Sequence, residues 1–125
     1  NLKMSAFVLD YDHNAPTVEH LEATHERFFK IVREANPNLP IVMVTRPNTQ
    51  GNMLTDAKRR QIVFKTYLNA KEAGDNNVYF VDGSSFLLSD TADTQIVDQC
   101  HPSDAGFLRM AEVIGTVLKS AIRKE

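Results

Sequence analysis

The sequence predicts a single α/β domain, residues 1–125, in which helices cover a parallel β-sheet. Three short apolar runs, at residues 6–9, 41–44 and 78–81, alternate with three longer segments of helical periodicity. Alternation of strands and helices is typical of βαβ units, whose consecutive strands run parallel. The runs are almost continuously apolar, as expected for strands that are buried on both faces of a sheet.

The first predicted helix begins near Thr17 and ends at Asn36 and Pro37, because this dipeptide is a helix stop. His20 and His25 lie five residues apart on this helix, a spacing that does not suit one shared metal ion. We expect both histidines to face solvent or to be only partly packed. Apolar residues at helical spacing define the face predicted to be buried: Leu21, Phe28, Ile31, Val32 and Ala35.

The second helix is predicted over residues 55–72, with Gly74 as its C-terminal stop. One face is marked by Ala57, Gln61, Phe64 and Leu68, with Ile62 and Val63 nearby, and we expect this face to be buried. The last helix is predicted over residues 102–123, with Ser103 or Asp104 as the N-cap. Its predicted buried face comprises Phe107, Met110, Ala111, Ile114, Val117, Leu118 and Ala121.

Composition excludes several classes of partner. The chain is 42% hydrophobic and 24% charged, with a net charge of −2 and mixed signs, so we expect neither a nucleic-acid nor a membrane partner. The apolar runs are too short to span a bilayer. Cys100, the single cysteine, cannot form an internal disulfide. The compartment stays open: the cytoplasm or, with an upstream signal peptide, the periplasm or the exterior.

Asp98 and His101 are the first candidate catalytic residues. They lie three residues apart, before Pro102 and the last helix. A histidine that acts as a general base is usually oriented by a carboxylate, which bonds one ring nitrogen and fixes the tautomer. The same residues also allow a purely structural interpretation, in which Asp98 belongs to a loop and His101 is a surface histidine.

The segment D-x-x-H-P-S-D-x-G-F at residues 98–107 resembles the last conserved block of the SGNH (GDSL-type) hydrolases. The first strand, followed by Asp12-His13-Asn14, resembles another block of that family, G-x-N, with Asp12 at the glycine position. The resemblance implies a flavodoxin-like three-layer α/β/α sandwich and an esterase or acylhydrolase activity. It implies that His101 is the general base, that Asp98 orients it, and that Asn14 donates to the oxyanion hole.

The family's G-D-S-x block, which carries the nucleophilic serine, is not found in these 125 residues. Because that block normally precedes the first strand seen here, we expect an incomplete N-terminus and a chain that is inactive alone. Ser84 and Ser85 do not meet the G-x-S-x-G pattern of a nucleophile turn. The expected substrate is a small ester, such as an acetylated sugar or another acyl ester, with Arg46 and Asp12 as candidate binding residues. No metal or cofactor is expected.

Two alternatives remain open at this stage. Asp10-Tyr11-Asp12 after an apolar strand resembles the D-x-D motif of haloacid-dehalogenase-type phosphatases, in which both carboxylates hold Mg²⁺. A non-catalytic interaction module is the other, since a half-domain exposes apolar surface that a second copy or the missing N-terminal segment could cover.

Overall fold

The computed structural model describes residues 2–48, 52–87 and 101–123. Within them, three strands form one parallel sheet in the order β1-β2-β3. The strands are β1 (Phe7–Leu9), β2 (Ile41–Val44) and β3 (Val78–Val81). The structure confirms the predicted bounds of β2 and β3, and β1 begins one residue later than predicted.

Three long helices accompany the sheet: α1 (Val18–Ala35), α2 (Met53–Glu72) and α3 (Asp104–Ile122). Side-chain caps start two of them, since the hydroxyl of Thr17 accepts from the backbone N–H of His20 and that of Ser103 accepts from Gly106. Gly74 follows α2 with a φ of 87°, a left-handed conformation that glycine adopts without strain. The predicted helix stop at Gly74 and the predicted cap at Ser103 are confirmed.

The helices lie on both faces of the sheet. One core joins the sheet to α1 and α2 and contains Leu9, Leu21, Phe29, Ile41, Met43, Val63, Ala70 and Val78. The other joins the sheet to α3 and contains Val42, Val44, Val81 and Phe86, against which Met110, Val113, Ile114, Val117 and Leu118 pack. Successive residues of β2 alternate between these cores, so all four of its residues must be apolar. The fold is the predicted three-layer α/β/α sandwich.

The predicted buried faces of α1 and α2 were only partly right. Leu21 of α1 and Val63 of α2 are buried, and Val32 packs against the same core. Helix α1 buries Phe29, whereas Phe28 and Ile31 are 38% and 58% exposed. Helix α2 buries Asp56, Arg59, Val63, Thr66 and Ala70, while the predicted Phe64 and Leu68 are partly in solvent. The apolar pattern of α2 indicated the wrong face because several of its polar side chains are buried against partners on other elements. In α3, Phe107 and Ala111 are exposed, but the rest of its predicted face packs on the sheet.

None of the helices in the part of the chain that the structure describes combines the length and apolar character that a bilayer span requires.

Candidate active site

The carboxyl ends of the three strands meet at one edge of the sheet, the carboxyl edge, where α/β proteins usually bind ligands. Two short 3₁₀ turns lie there: Asp12–Asn14 after β1 and Gly83–Ser85 after β3. Asn14 is the last residue of the first turn, and its backbone N–H donates to the carbonyl of Tyr11 at 3.0 Å. The Asn14 residue itself is solvent-exposed.

His101 belongs to the same edge of the sheet. Ile122, the last residue of α3, borders a surface depression together with Ser5 and Pro40, which precede β1 and β2. The C-terminal end of α3 therefore lies at the opposite, amino edge. A helix of 19 residues is about 28 Å long, so the start of α3 reaches the carboxyl edge. His101 lies just before that start and is solvent-exposed.

Asp98 and Cys100 lie outside the described residues. The predicted hydrogen bond between Asp98 and His101 therefore stays a prediction. The structure brings Asn14 and His101 to one edge of the sheet through two unrelated segments of the chain.

Asp12 is buried, a placement that the sequence did not indicate. Its residue is 1% exposed, and its Oδ1 accepts from Nε of Arg59 at 2.7 Å. Its Oδ2 accepts from the backbone N–H of Arg46 at 2.8 Å. These bonds tie the turn after β1 to helix α2 and to the end of β2. A direct substrate contact by Asp12 has no support in the described residues.

Arg59 also holds the backbone of the first turn. Its Nη2 donates to the carbonyl of Asp12 and, at 2.8 Å, to the carbonyl of Ala15. Those carbonyls lie on either side of Asn14 in the sequence. The Arg59 side chain is only 3% exposed, so these bonds form away from bulk solvent.

Arg46 forms a second ion pair beside the first. Its Nε donates to Oδ1 of Asp56 at 2.7 Å, and Asp56 lies in the first turn of α2. A carboxylate at this position also interacts favourably with the helix dipole. The Arg46 side chain is 13% exposed. This pairing is structural, and a contact between Arg46 and a substrate stays a prediction.

The loops after β2 and β3 are packed closely together. The backbone N–H of Gly83 donates to the Thr45 hydroxyl at 2.7 Å. A Cβ atom at Gly83 would lie 1.9 Å from the Thr45 carbonyl oxygen, so only glycine fits. At the carboxyl edge, the segments that follow β1, β2 and β3 are therefore joined to one another by hydrogen bonds.

The arrangement does not favour the phosphatase alternative. That mechanism needs Asp10 and Asp12 to share a magnesium ion, yet both oxygens of Asp12 bond Arg59 and the backbone of Arg46. Partial burial raises the pKa of Asp10, and the charge of Asp12 adds to this shift while His13 opposes it. Residues 2–48, 52–87 and 101–123 contain no cluster of three His, Cys, Asp or Glu side chains able to hold a metal.

Sequence reasoning missed Arg59, Asp56 and the burial of His25. A usable signal existed for the first two, since residues 56, 59, 63, 66 and 70 follow the 3-4-3-4 spacing of a helix face. An arginine and an aspartate on a face that otherwise carries small or β-branched residues indicate buried ion pairs.

Comparison with known protein families identifies the family of this chain. The GDSL-like lipase/acylhydrolase family matches residues 1–119. The chain belongs to this family. The resemblance inferred from the sequence motifs is thereby confirmed, and membership supports a function of the hydrolase or acyltransferase type.

Solved structures share the fold of this GDSL-family chain. A protein described as a GDSL-like lipase from Bacteroides ovatus ATCC 8483 is similar with a TM-score of 0.84 and 20% identity, over 98% of this chain and 37% of that one. The salicylyl-acyltransferase SsfX3 from a tetracycline biosynthetic pathway is similar with a TM-score of 0.71 and 18% identity, over 94% of this chain and 39% of that one. The chain thus spans less than two fifths of these structures. No curated protein sequence matches it.

Proposed function

We propose that this chain supplies the general base, its orienting carboxylate and one oxyanion donor of a serine esterase or acylhydrolase. The observation that supports this most is that Asn14, in the turn after β1, and His101, just before α3, are both exposed and both belong to segments at the carboxyl edge of the sheet. The two residues come from separate segments, and each matches a motif position of the family to which the chain belongs. The nucleophilic serine comes from another segment, because no G-D-S-x block is present in these residues.

The proposed chemistry is acyl transfer. The serine attacks the ester carbonyl while His101 takes the serine proton, and His101 later gives this proton to the leaving alcohol. Asp98 bonds the other ring nitrogen and stabilises the imidazolium. The Asn14 side-chain N–H donates to the oxyanion of the tetrahedral intermediate. Water then attacks the acyl-enzyme, with His101 again as the base.

The proposed substrate is a small ester, for example an acetylated sugar or another acyl ester. Attack on the ester carbonyl needs only the serine, His101 and the oxyanion donors. The proposed mechanism therefore uses no metal or cofactor.

The test uses the product of the complete gene and p-nitrophenyl acetate as the substrate. His101→Ala should remove nearly all hydrolysis, because the serine then lacks its base. His20→Ala is the matched control, since His20 is an exposed histidine on α1 that the mechanism does not use. Unfolding temperatures of both variants should equal that of the parent. Activity that survives His101→Ala would overturn the proposal.

A further inference from the structure

Arg59 is a buried arginine that the mechanism above does not use. Its guanidinium makes three contacts with the segment that carries Asn14: to the carboxylate of Asp12 and to the carbonyls of Asp12 and Ala15. All three lie within a span of four residues. The arginine is therefore bound to the backbone on both sides of the proposed oxyanion donor.

The turn has little internal support of its own. It is one 3₁₀ turn, with backbone bonds from Asn14 to Tyr11 at 3.0 Å and from Ala15 to Asp12 at 3.2 Å. Hydrogen-bond geometry in 3₁₀ helices is poor, and such short pieces depend on their surroundings. Arg59 and the bond from Asp12 to the backbone of Arg46 supply these surroundings.

We propose that Arg59 is a positioning residue, which holds the turn so that the Asn14 amide lies where the oxyanion develops. The inference rests on the proposed role of Asn14. An arginine suits this task because its planar fork donates in two directions at once, here to a side-chain carboxylate and to two backbone carbonyls. A lysine carries one compact ammonium group and cannot span the same acceptors.

The first test is Arg59→Lys in the full-length protein. The substitution keeps the charge opposite Asp12, so the buried carboxylate retains a partner. We expect kcat for p-nitrophenyl acetate to fall roughly 10- to 100-fold, with KM within about twofold of the parent value, since the oxyanion contact forms only in the transition state.

A double variant separates positioning from a general structural role. In an Asn14→Ala background there is no donor left to position, so adding Arg59→Lys should lower kcat no further. If the two substitutions instead lower kcat by factors that multiply in the double variant, the proposal is overturned. An Arg59→Lys variant with the parent kcat would also overturn it.

The chain provides a matched control at the opposite edge of the sheet. Arg33 likewise pairs with an aspartate, Asp75, at 2.7 Å and donates to the backbone carbonyls of Leu39 and Asn77 at 2.7 and 3.3 Å. Arg33→Lys should therefore lower the unfolding temperature but leave kcat unchanged. A comparable loss of kcat in Arg33→Lys would show that weakening either of these arginine contacts impairs activity. That result would overturn a specific role for Arg59.

A second variant applies if Arg59→Lys does not fold. Asp12→Asn combined with Arg59→Met removes both buried charges together, a change that proteins often tolerate. It keeps an acceptor for the Arg46 backbone N–H but removes the guanidinium that donates to the carbonyls of residues 12 and 15, and the same loss of kcat is expected. Full activity in both Asn14→Ala and His101→Ala would instead refute the proposed function itself, which distinguishes the two failures.

Discussion

Nδ1 of His25 lies 2.9 Å from the Thr66 hydroxyl oxygen, a contact that joins α1 to α2 inside the core. His25 is 0% exposed and Thr66 is 2% exposed. The imidazole also stacks against the ring of Tyr11, with 6.4 Å between ring centroids. Burial lowers the pKa of His25 to about 4, against the attraction of the Asp12 and Glu26 charges. The histidine is therefore neutral in the folded protein near pH 7.

This burial predicts a loss of stability in mild acid. In the unfolded chain His25 titrates near the ordinary histidine pKa of 6.5, while the folded protein binds the same proton only near pH 4. The unfolded state thus binds more protons between these values, and the free energy of unfolding falls as the pH drops through this window. From pH 7 to pH 5 the loss should be about 2 kcal/mol, measured by urea unfolding at each pH.

Two variants identify the group responsible for this loss. His25→Gln removes the titrating ring and should make the decrease between pH 7 and pH 5 much smaller. His20→Gln removes an exposed histidine from the same helix and should retain the full decrease. An equally large decrease in His25→Gln and the parent would assign the effect to other groups.

Asn14→Ala tests the proposed oxyanion donor directly. We expect kcat to fall by roughly 100- to 1000-fold with little change in KM, the usual result of removing one such donor. Asn38→Ala is a suitable control, because Asn38 is exposed and lies before β2 at the amino edge. Steady-state kinetics with p-nitrophenyl acetate provide both values, and a normal kcat for Asn14→Ala would exclude Asn14 from the oxyanion hole.

Asp98→Asn tests the predicted partner of His101. An amide at this position favours the wrong imidazole tautomer, so kcat should fall by roughly 10⁴-fold while the protein stays folded. Asp104→Asn changes an exposed carboxylate in the first turn of α3 and should leave kcat unchanged. If both substitutions have equally small effects on kcat, another group orients His101.

Replacing glycine by alanine at two positions should change the stability of the protein in opposite directions. Gly83→Ala places a methyl group against the backbone carbonyls of Thr45 and Arg46 and should destabilise the protein by about 3 kcal/mol or more. Gly115→Ala introduces a methyl group into the interior of α3, where nothing lies within 4 Å. It should stabilise the protein by about 0.5 to 1 kcal/mol, because alanine favours the helix. Chemical denaturation of the two variants checks both signs.

The strands were predictable because their signal is local. Residues 41–44 and 78–81 are short apolar runs between polar segments, and burial on both faces of a sheet requires such runs. The helix stop at Gly74 and the cap at Ser103 were predictable for a similar reason, since each depends on one residue and its immediate neighbours.

The buried face of α2 was not predictable from the apolar residues of this helix, although the spacing of residues 56, 59, 63, 66 and 70 is that of one helix face. Asp56 and Arg59 are buried because Arg46 and Asp12, from other parts of the chain, neutralise their charges. The choice of Phe29 over Phe28 in α1 has a related cause, since Phe28 packs at the surface against Phe7 and Tyr11. Such choices depend on tertiary partners, which a helical pattern does not contain.

The candidate site was predictable only in part. Family motifs pointed to Asn14 and His101, and the topology places both at the carboxyl edge. The motif also drew attention to Asp12, but only the structure reveals that its carboxylate binds Arg59. The motif therefore pointed to the proposed donor, whereas the contacts of Arg59 with its turn come from a helix later in the chain.

The buried pair of Asp12 and Arg59 also constrains how related sequences can diverge. Replacing one member leaves an uncompensated charge in the interior, which destabilises by about 3 to 5 kcal/mol, whereas replacing both by neutral residues is often tolerated. Relatives that carry a neutral residue at one of these positions should therefore carry a neutral residue at the other. Although they are 47 residues apart in the chain, the two positions should therefore co-vary among related sequences.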